Sequence, residues 1–135
     1  QVGREYGATT GRRRRCGWFD AVATRYFCML NGVTRLVVTK LDVLDQLKTI
    51  QVCVAYELDG QRLESMPINM ADFERVKPIY EEIEGWNCST ETATCWAELP
   101  PKARAYLERL ASLVGASLDI VSIGPKRHQT FKVKK

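Results

Sequence analysis

Residues Gly7 to Arg15 read GATTGRRRR, four consecutive arginines directly behind a Gly-Thr-Thr-Gly turn. A guanidinium is a planar fork that meets carboxylate or phosphate oxygens two bonds at a time, and a glycine-flanked loop lets several forks converge on one small anion. The next residues, RCGWFDAV, read as a helix opening. Free backbone N–H groups at such an entry add a further preference for anions. A basic run of this kind also serves as a nucleic-acid patch or a solvated surface. The net charge is +4, and much of it sits at the two ends, in Arg12–Arg15 and in the KRHQTFKVKK tail. A nucleic-acid binder more often spreads its charge over one face.

A second group is Thr39-Lys40-Leu41-Asp42, placed just after a predicted strand. In open α/β sheets ligands gather at the C-terminal ends of strands. The chemistry of T-K-x-D suits guanine: a carboxylate accepts from both the ring N–H and the exocyclic amine, and a lysine stem lies along the base. The tetrapeptide is similar to the N-K-x-D guanine signature of GTP-binding proteins. An ordinary loop with a capping Asp is the plain alternative. Ser122-Ile123-Gly124-Pro125 also ends a predicted strand and offers backbone groups and a proline face to a base. A strand-ending Gly-Pro turn explains it equally well in isolation.

The elements that must hold these groups follow from periodicity. Phe19, Val22, Tyr26 and Leu30 have near-helical spacing and predict a helix over 18–30, stopped by Asn31-Gly32. Leu36 to Thr39 reads as a short buried strand and Thr49 to Tyr56 as a second strand. Asp59-Gly60 is a hairpin dipeptide, with Gln61 to Glu64 returning. Ala71 to Val76 reads as a helical turn ended near Pro78, 80–86 (YEEIEGW) is ambiguous, and 90–97 reads as a loop. Leu99-Pro100-Pro101 opens the clearest helix, with a stripe at Ala103, Tyr106, Leu107, Leu110 and Leu113/Val114, closed by Gly115. Leu118 to Ile123 is a third strand. The alternation argues for an α/β fold.

The chain has 135 residues, 45% hydrophobic and 27% charged, enough and ordinary enough for one domain with a real core. No apolar run is long enough to span a bilayer. Gln1 stands where an initiator Met would, and no signal peptide opens the sequence, so the chain reads as a fragment or processed piece. The five cysteines are odd in number and lack C-x-x-C spacing, and His128 is remote from them. Zinc binding and a disulfide framework are therefore poorly supported, and Cys28 and Cys53 read as small buried hydrophobes in a reducing compartment.

Taken together, GATTGRRRRCGWFD, TKLDVLD, VCVAY, the GW after YEEIE, and VSIGPKR stand in the order found in adenylosuccinate synthetases, and the chain resembles that family over nearly its whole length. The resemblance implies the C-terminal third of a larger P-loop-NTPase-like α/β enzyme built around a mostly parallel sheet. Residues 1–135 would form one segment, with 1–17 as the aspartate/IMP loop and 36–45 and 118–127 as guanine-binding segments. The family joins IMP and L-aspartate at the expense of GTP, giving adenylosuccinate, GDP and phosphate, with Mg2+. By that resemblance Ala8, Thr9, Thr10, Gly11, Arg12, Arg13 and Arg14 contact aspartate and IMP. Arg14 also lies toward GTP, and Lys40, Leu41 and Asp42 with Ser122, Ile123 and Gly124 hold the guanine. The family's phosphate loop, catalytic aspartate, catalytic histidine and magnesium contacts have no counterpart here, and His128 lies in the wrong context to replace that histidine. No catalytic or metal residue is therefore expected in this chain, and the 135-residue chain alone is expected to give no turnover. The resemblance further implies a cytoplasmic homodimer, with neither nucleic acid nor membrane as partner. A non-catalytic nucleotide- or anion-binding module is the alternative reading.

Overall fold

In the computed structural model the described residues are Gly3 and 5–133; Gln1, Val2 and Arg4 of the expected 1–17 loop, and Lys134 and Lys135 of the basic tail, lie outside them. Asp20 decides where the first helix begins. The expected helix over 18–30 divides into an extended pair, β1 (Phe19–Asp20), and a helix, α1 (Ala21–Leu30). Asp20 is extended (φ −101°, ψ 100°), and its carboxylate accepts from Ala23 N–H at 2.9 Å. That is the N-cap role, which suits Asp better than a helix interior. The arginine run consequently does not sit at a helix entry: five residues separate Arg15 from Ala21, and a carboxylate already occupies the helix N-terminus. Asn31 and Gly32 (φ 61°) end α1 where expected.

After β2 (Arg35–Val38) a single 3-10 turn, Leu41–Leu44, leads to the long strand β3 (Thr49–Leu58). Asp59 and Gly60 both take positive φ (51° and 81°), the turn that matches strand twist, and β4 (Gln61–Leu63) returns antiparallel. One helical turn, α2 (Met70–Phe73), is capped by Asn69 and ends before Val76. Pro78 then lies inside β5 (Lys77–Glu84), opposite Tyr56. The ambiguous YEEIEGW segment is thus mostly strand: Ile79, Glu81 and Ile83 face inward while Tyr80, Glu82 and Glu84 are exposed. A glutamate on the inward face obscures the apolar alternation. Its charge is met by Arg109 of the helix α3 (Pro101–Val114), through two bonds of 2.8 and 2.6 Å.

The strands β6 (Ser117–Ser122) and β7 (Thr130–Lys132) complete the chain. Two sheets result. One has β3 at its centre, parallel to β1 and antiparallel to β4 and β5; the other has β6 between parallel β2 and antiparallel β7. Within this chain, then, the pairings are mixed, with β1–β3 and β2–β6 the parallel ones. Strand β2 is also less buried than its apolar run predicts, with Val37 58% exposed.

The core sits between the sheets and α3. Ala103, Tyr106, Leu107, Leu110 and Val114 are buried on α3, the predicted stripe. Ala103, Tyr106, Leu107 and Leu110 pack with Ile50, Val52, Val121, Ile123 and Trp86, whose ring lies 5.8 Å from that of Tyr106. A smaller cluster joins Val22, Cys53 and Tyr56, and the Tyr56 hydroxyl donates to Asp20 at 2.5 Å. Cys53 is buried as expected, whereas Cys28 is only partly covered. Burial, with the charge of Asp20 beside it, pushes the Cys53 thiol up to about 11. At neutral pH this leaves it roughly a hundredfold less thiolate than an ordinary cysteine. A thiol-labelling time course should therefore modify exposed Cys16, Cys88 and Cys95 well before Cys53; equal rates would contradict its burial.

Candidate functional site

Strands β2 and β6 run parallel, with Val38 opposite Val121. Parallel pairing places both C-terminal ends at the same sheet edge, so Thr39–Asp42 and Ser122–Pro125, far apart in sequence, leave the sheet side by side. They wall a groove of about 620 Å³, lined on one side by Thr39, Lys40, Asp42 and Val43 and on the other by Ser122, Gly124 and Pro125, with Gly3 at its rim. The volume lies in the range of small-ligand sites.

Each wall has a local reason for its shape. Lys40 adopts the left-handed conformation (φ 60°, ψ 37°), uncommon for a residue with a Cβ, and this turns the chain into the 3-10 turn that carries Asp42. Leu41 points the other way, 1% exposed in the core, so its side chain anchors the turn and only its backbone is available to a ligand. Asp45, at the end of the turn, is a buried carboxylate that accepts from the Trp86 indole N–H (2.8 Å), Thr90 N–H (2.7 Å) and the Thr90 hydroxyl (3.0 Å). On the opposite wall the Ser122 hydroxyl donates to the Gly124 carbonyl (3.0 Å) and accepts from the Thr130 hydroxyl (3.0 Å). Gln129, buried, accepts from Lys126 N–H at 3.1 Å, and a Cβ on Gly124 would collide with its side chain. Glycine at 124 thus leaves room for the buried Gln129 amide. Ile123 is buried in the core, so its side chain, like that of Leu41, is structural.

Asp42 is different. Its Oδ1 is buried and has no hydrogen-bond partner among the described residues. Burial holds its carboxyl above the usual carboxylate range, and the nearby charge of Asp45 adds to this, while its own backbone N–H and Lys40 act the other way. Buried polar atoms are almost always paired. Asp42 also lines the groove, so its carboxylate is the acceptor-only group of that wall.

The arginine segment forms a hairpin-like loop. Gly7 N–H donates to Arg12 O and Gly11 N–H to Gly7 O, both at 2.8 Å, and Tyr6 bridges Arg13 in antiparallel register. Gly11 takes φ 62°, which favours glycine there, and a Cβ on Gly7 would displace the Thr10 hydroxyl, which lies 2.7 Å away. Ala8, Thr9, Thr10, Gly11, Arg12, Arg13 and Arg14 are all exposed. The loop reaches the groove through Glu5. Arg14 N–H donates to the Glu5 carbonyl (2.9 Å), the Arg14 guanidinium lies 3.5 Å from the Glu5 carboxylate, and Lys40 Nζ bonds the same carboxylate and the Gly3 carbonyl (3.0 Å). The two segments are thus joined. His128 is exposed on a 3-10 turn outside the lining. Sequence reasoning named no individual role for Glu5, Val43, Asp45 or Gln129; nothing in a lone Glu or Asp marks a partner such as Lys40 or Trp86 that lies 35 or 41 residues away.

A sequence profile of the adenylosuccinate synthetase family matches residues 1–131. Adenylosuccinate synthetases of Geobacter sulfurreducens and Parasynechococcus marenigrum are 51% and 54% identical over 97% and 98% of the chain. The chain spans about 30% of the length of each. The structure of the fully ligated adenylosuccinate synthetase from Plasmodium falciparum matches with a TM-score of 0.91 and 34% identity, covering 98% of this chain and 32% of that one. With a matching profile over almost all its residues and a shared fold, the chain belongs to the adenylosuccinate synthetase family.

Proposed function

We propose that this chain supplies the guanine pocket and the aspartate/IMP loop of a GTP-dependent ligase that joins IMP and L-aspartate. The observation that carries the reading is the Asp42 carboxylate on the groove wall, one of whose oxygens has no hydrogen-bond partner among the described residues. Guanine presents two adjacent donors, its ring N–H and its amine, to one carboxylate. Adenine at the same edge presents a ring acceptor, which a carboxylate repels. The Lys40 stem and the Pro125 face supply the flat walls.

On this reading GTP phosphorylates the 6-oxygen of IMP, and the aspartate amine then displaces phosphate. The residues of this chain bind and orient; none moves a proton. Arg12 and Arg14 fork onto the aspartate carboxylates, where their fixed charge offsets the anions brought together. Magnesium would neutralise the GTP phosphates when bound. Among the described residues no three His, Cys, Asp or Glu side chains gather to hold a metal; on this reading the ion's protein contacts belong to the part of the enzyme outside this chain. The full-length protein, on the same reading, is a cytoplasmic homodimer.

The test is adenylosuccinate formation by a full-length synthetase carrying this chain, with GTP or ATP as phosphoryl donor. Product with GTP and little with ATP is expected; equal rates would overturn the guanine assignment. The loop has its own test. Arg14→Leu is expected to raise the Michaelis constant for aspartate about ten- to a hundredfold, as the loss of one charge-assisted bidentate contact implies. The constant for IMP should move far less. Arg13→Leu is the internal control, since neighbouring residues of an extended segment point apart. Equal, small effects at both positions would mean that the run is surface charge.

A further inference from the structure

We propose that Glu5 is a positioning residue that couples the two halves of the site, so that a guanine nucleotide in the groove tightens the binding of aspartate at the arginine loop. This rests on the ligase reading above and concerns the regulation of that same site.

One carboxylate serves two cations from different segments. Lys40 Nζ, from the groove wall, and the Arg14 guanidinium, from the loop, both lie on the Glu5 side chain. The Glu5 main chain takes part as well, its carbonyl accepting from Arg14 N–H at 2.9 Å. Lys40 is further pinned through the Gly3 carbonyl at 3.0 Å. Glu5 is only partly exposed, its side chain at 27% against 61% for Arg14 and 51% for Lys40, so its position is the better defined of the three. Both cations, with Lys40 first, hold the Glu5 carboxyl below the usual carboxylate range, so it stays ionised near neutral pH.

The consequence follows from rotamer freedom. Arg14 and Lys40 are long side chains that lose entropy when fixed. A base stacked on the Lys40 stem fixes that stem, which holds Nζ on Glu5 and so orders the carboxylate against which Arg14 rests. Aspartate then meets a loop arginine already restrained. A ligand that orders part of a site lowers the ordering cost for the next, and the effect is reciprocal. No other charged pair among the described residues links the two segments.

The experiment titrates aspartate calorimetrically into a full-length synthetase carrying this chain, with IMP present, in the presence and absence of GDP and magnesium. GDP cannot phosphorylate IMP, so no turnover intervenes. The wild type should bind aspartate about three- to tenfold more tightly with GDP. Glu5→Gln should bring that ratio to about one, and Glu5→Asp should keep part of it. General damage to the fold would weaken both titrations without moving their ratio. A wild-type ratio of one, or a ratio unchanged in Glu5→Gln, would overturn the proposal. So would tighter aspartate binding in Glu5→Gln without GDP, which would make Glu5 a competitor for Arg14. The ligase reading fails separately, if GTP and ATP support product formation equally.

Discussion

Asp45→Ala is expected to destabilise the fold around the groove by about 3–5 kcal/mol, more than any exposed substitution in this chain. Asp45 is 7% exposed and accepts from three donors, the Trp86 indole N–H and the Thr90 N–H and hydroxyl. Thr90 is itself 1% exposed and Trp86 6%. Alanine would leave the indole and amide N–H groups buried without acceptors, each costing about 1–3 kcal/mol. The lost bonds also tie the 3-10 turn Leu41–Leu44 to the segment after β5, so the damage should reach the turn that carries Asp42. Hydrogen exchange in a full-length synthetase is the suitable readout, because its unfolding as a whole need not be two-state. Amides of 41–45 and 86–93 should lose protection in Asp45→Ala. The comparison is Arg75→Ala, which removes an exposed pairing with Asp59 and Asp72 and should change protection little. Unaltered exchange at both segments in Asp45→Ala would show that the buried bonds do not hold the turn.

The same contrast explains what the sequence made legible. Local rules located α3, because an apolar stripe and terminal Pro and Gly all lie within its own residues. They located the Asp59-Gly60 hairpin for the same reason. They misplaced the start of α1, since the extended residues Phe19 and Asp20 owe their conformation to pairing with Val52 and Cys53. They left β5 undecided, since its inward Glu81 makes sense only beside Arg109. The groove was half legible: the T-K-x-D and S-I-G-P segments could be named, but their adjacency depends on β2 lying parallel to β6. The helix-entry reading of the arginine loop failed because Asp20 already caps the helix. The roles of Glu5 and Asp45 were invisible, since Lys40, which Glu5 joins to the loop, and the Trp86 and Thr90 partners of Asp45 lie 35 to 45 residues away.

Asp42→Asn in a full-length synthetase carrying this chain is expected to shift nucleotide preference from GTP toward xanthosine triphosphate. In the proposed pose the carboxylate accepts from the ring N–H and the exocyclic amine of guanine. Asparagine keeps one acceptor and turns the other into an amide N–H, which faces a guanine donor and is left unsatisfied. Xanthine carries a 2-oxo group there and accepts from that amide. GTP binding should weaken by about 1–3 kcal/mol, roughly five- to 150-fold in affinity. Xanthosine triphosphate should move in the opposite direction, so the ratio of the two Michaelis constants changes by more than either alone. A pH profile gives an independent sign. The Asp42 carboxyl titrates above the usual carboxylate range because it is buried, and only its ionised form accepts from both guanine donors. GTP affinity should therefore fall as pH drops through that raised value, and Asp42→Asn should lose this dependence. Were Asp42 an ordinary capping carboxylate, both nucleotides would respond alike and the pH profile would keep its shape. An unchanged GTP to xanthosine triphosphate ratio would remove Asp42 from the site.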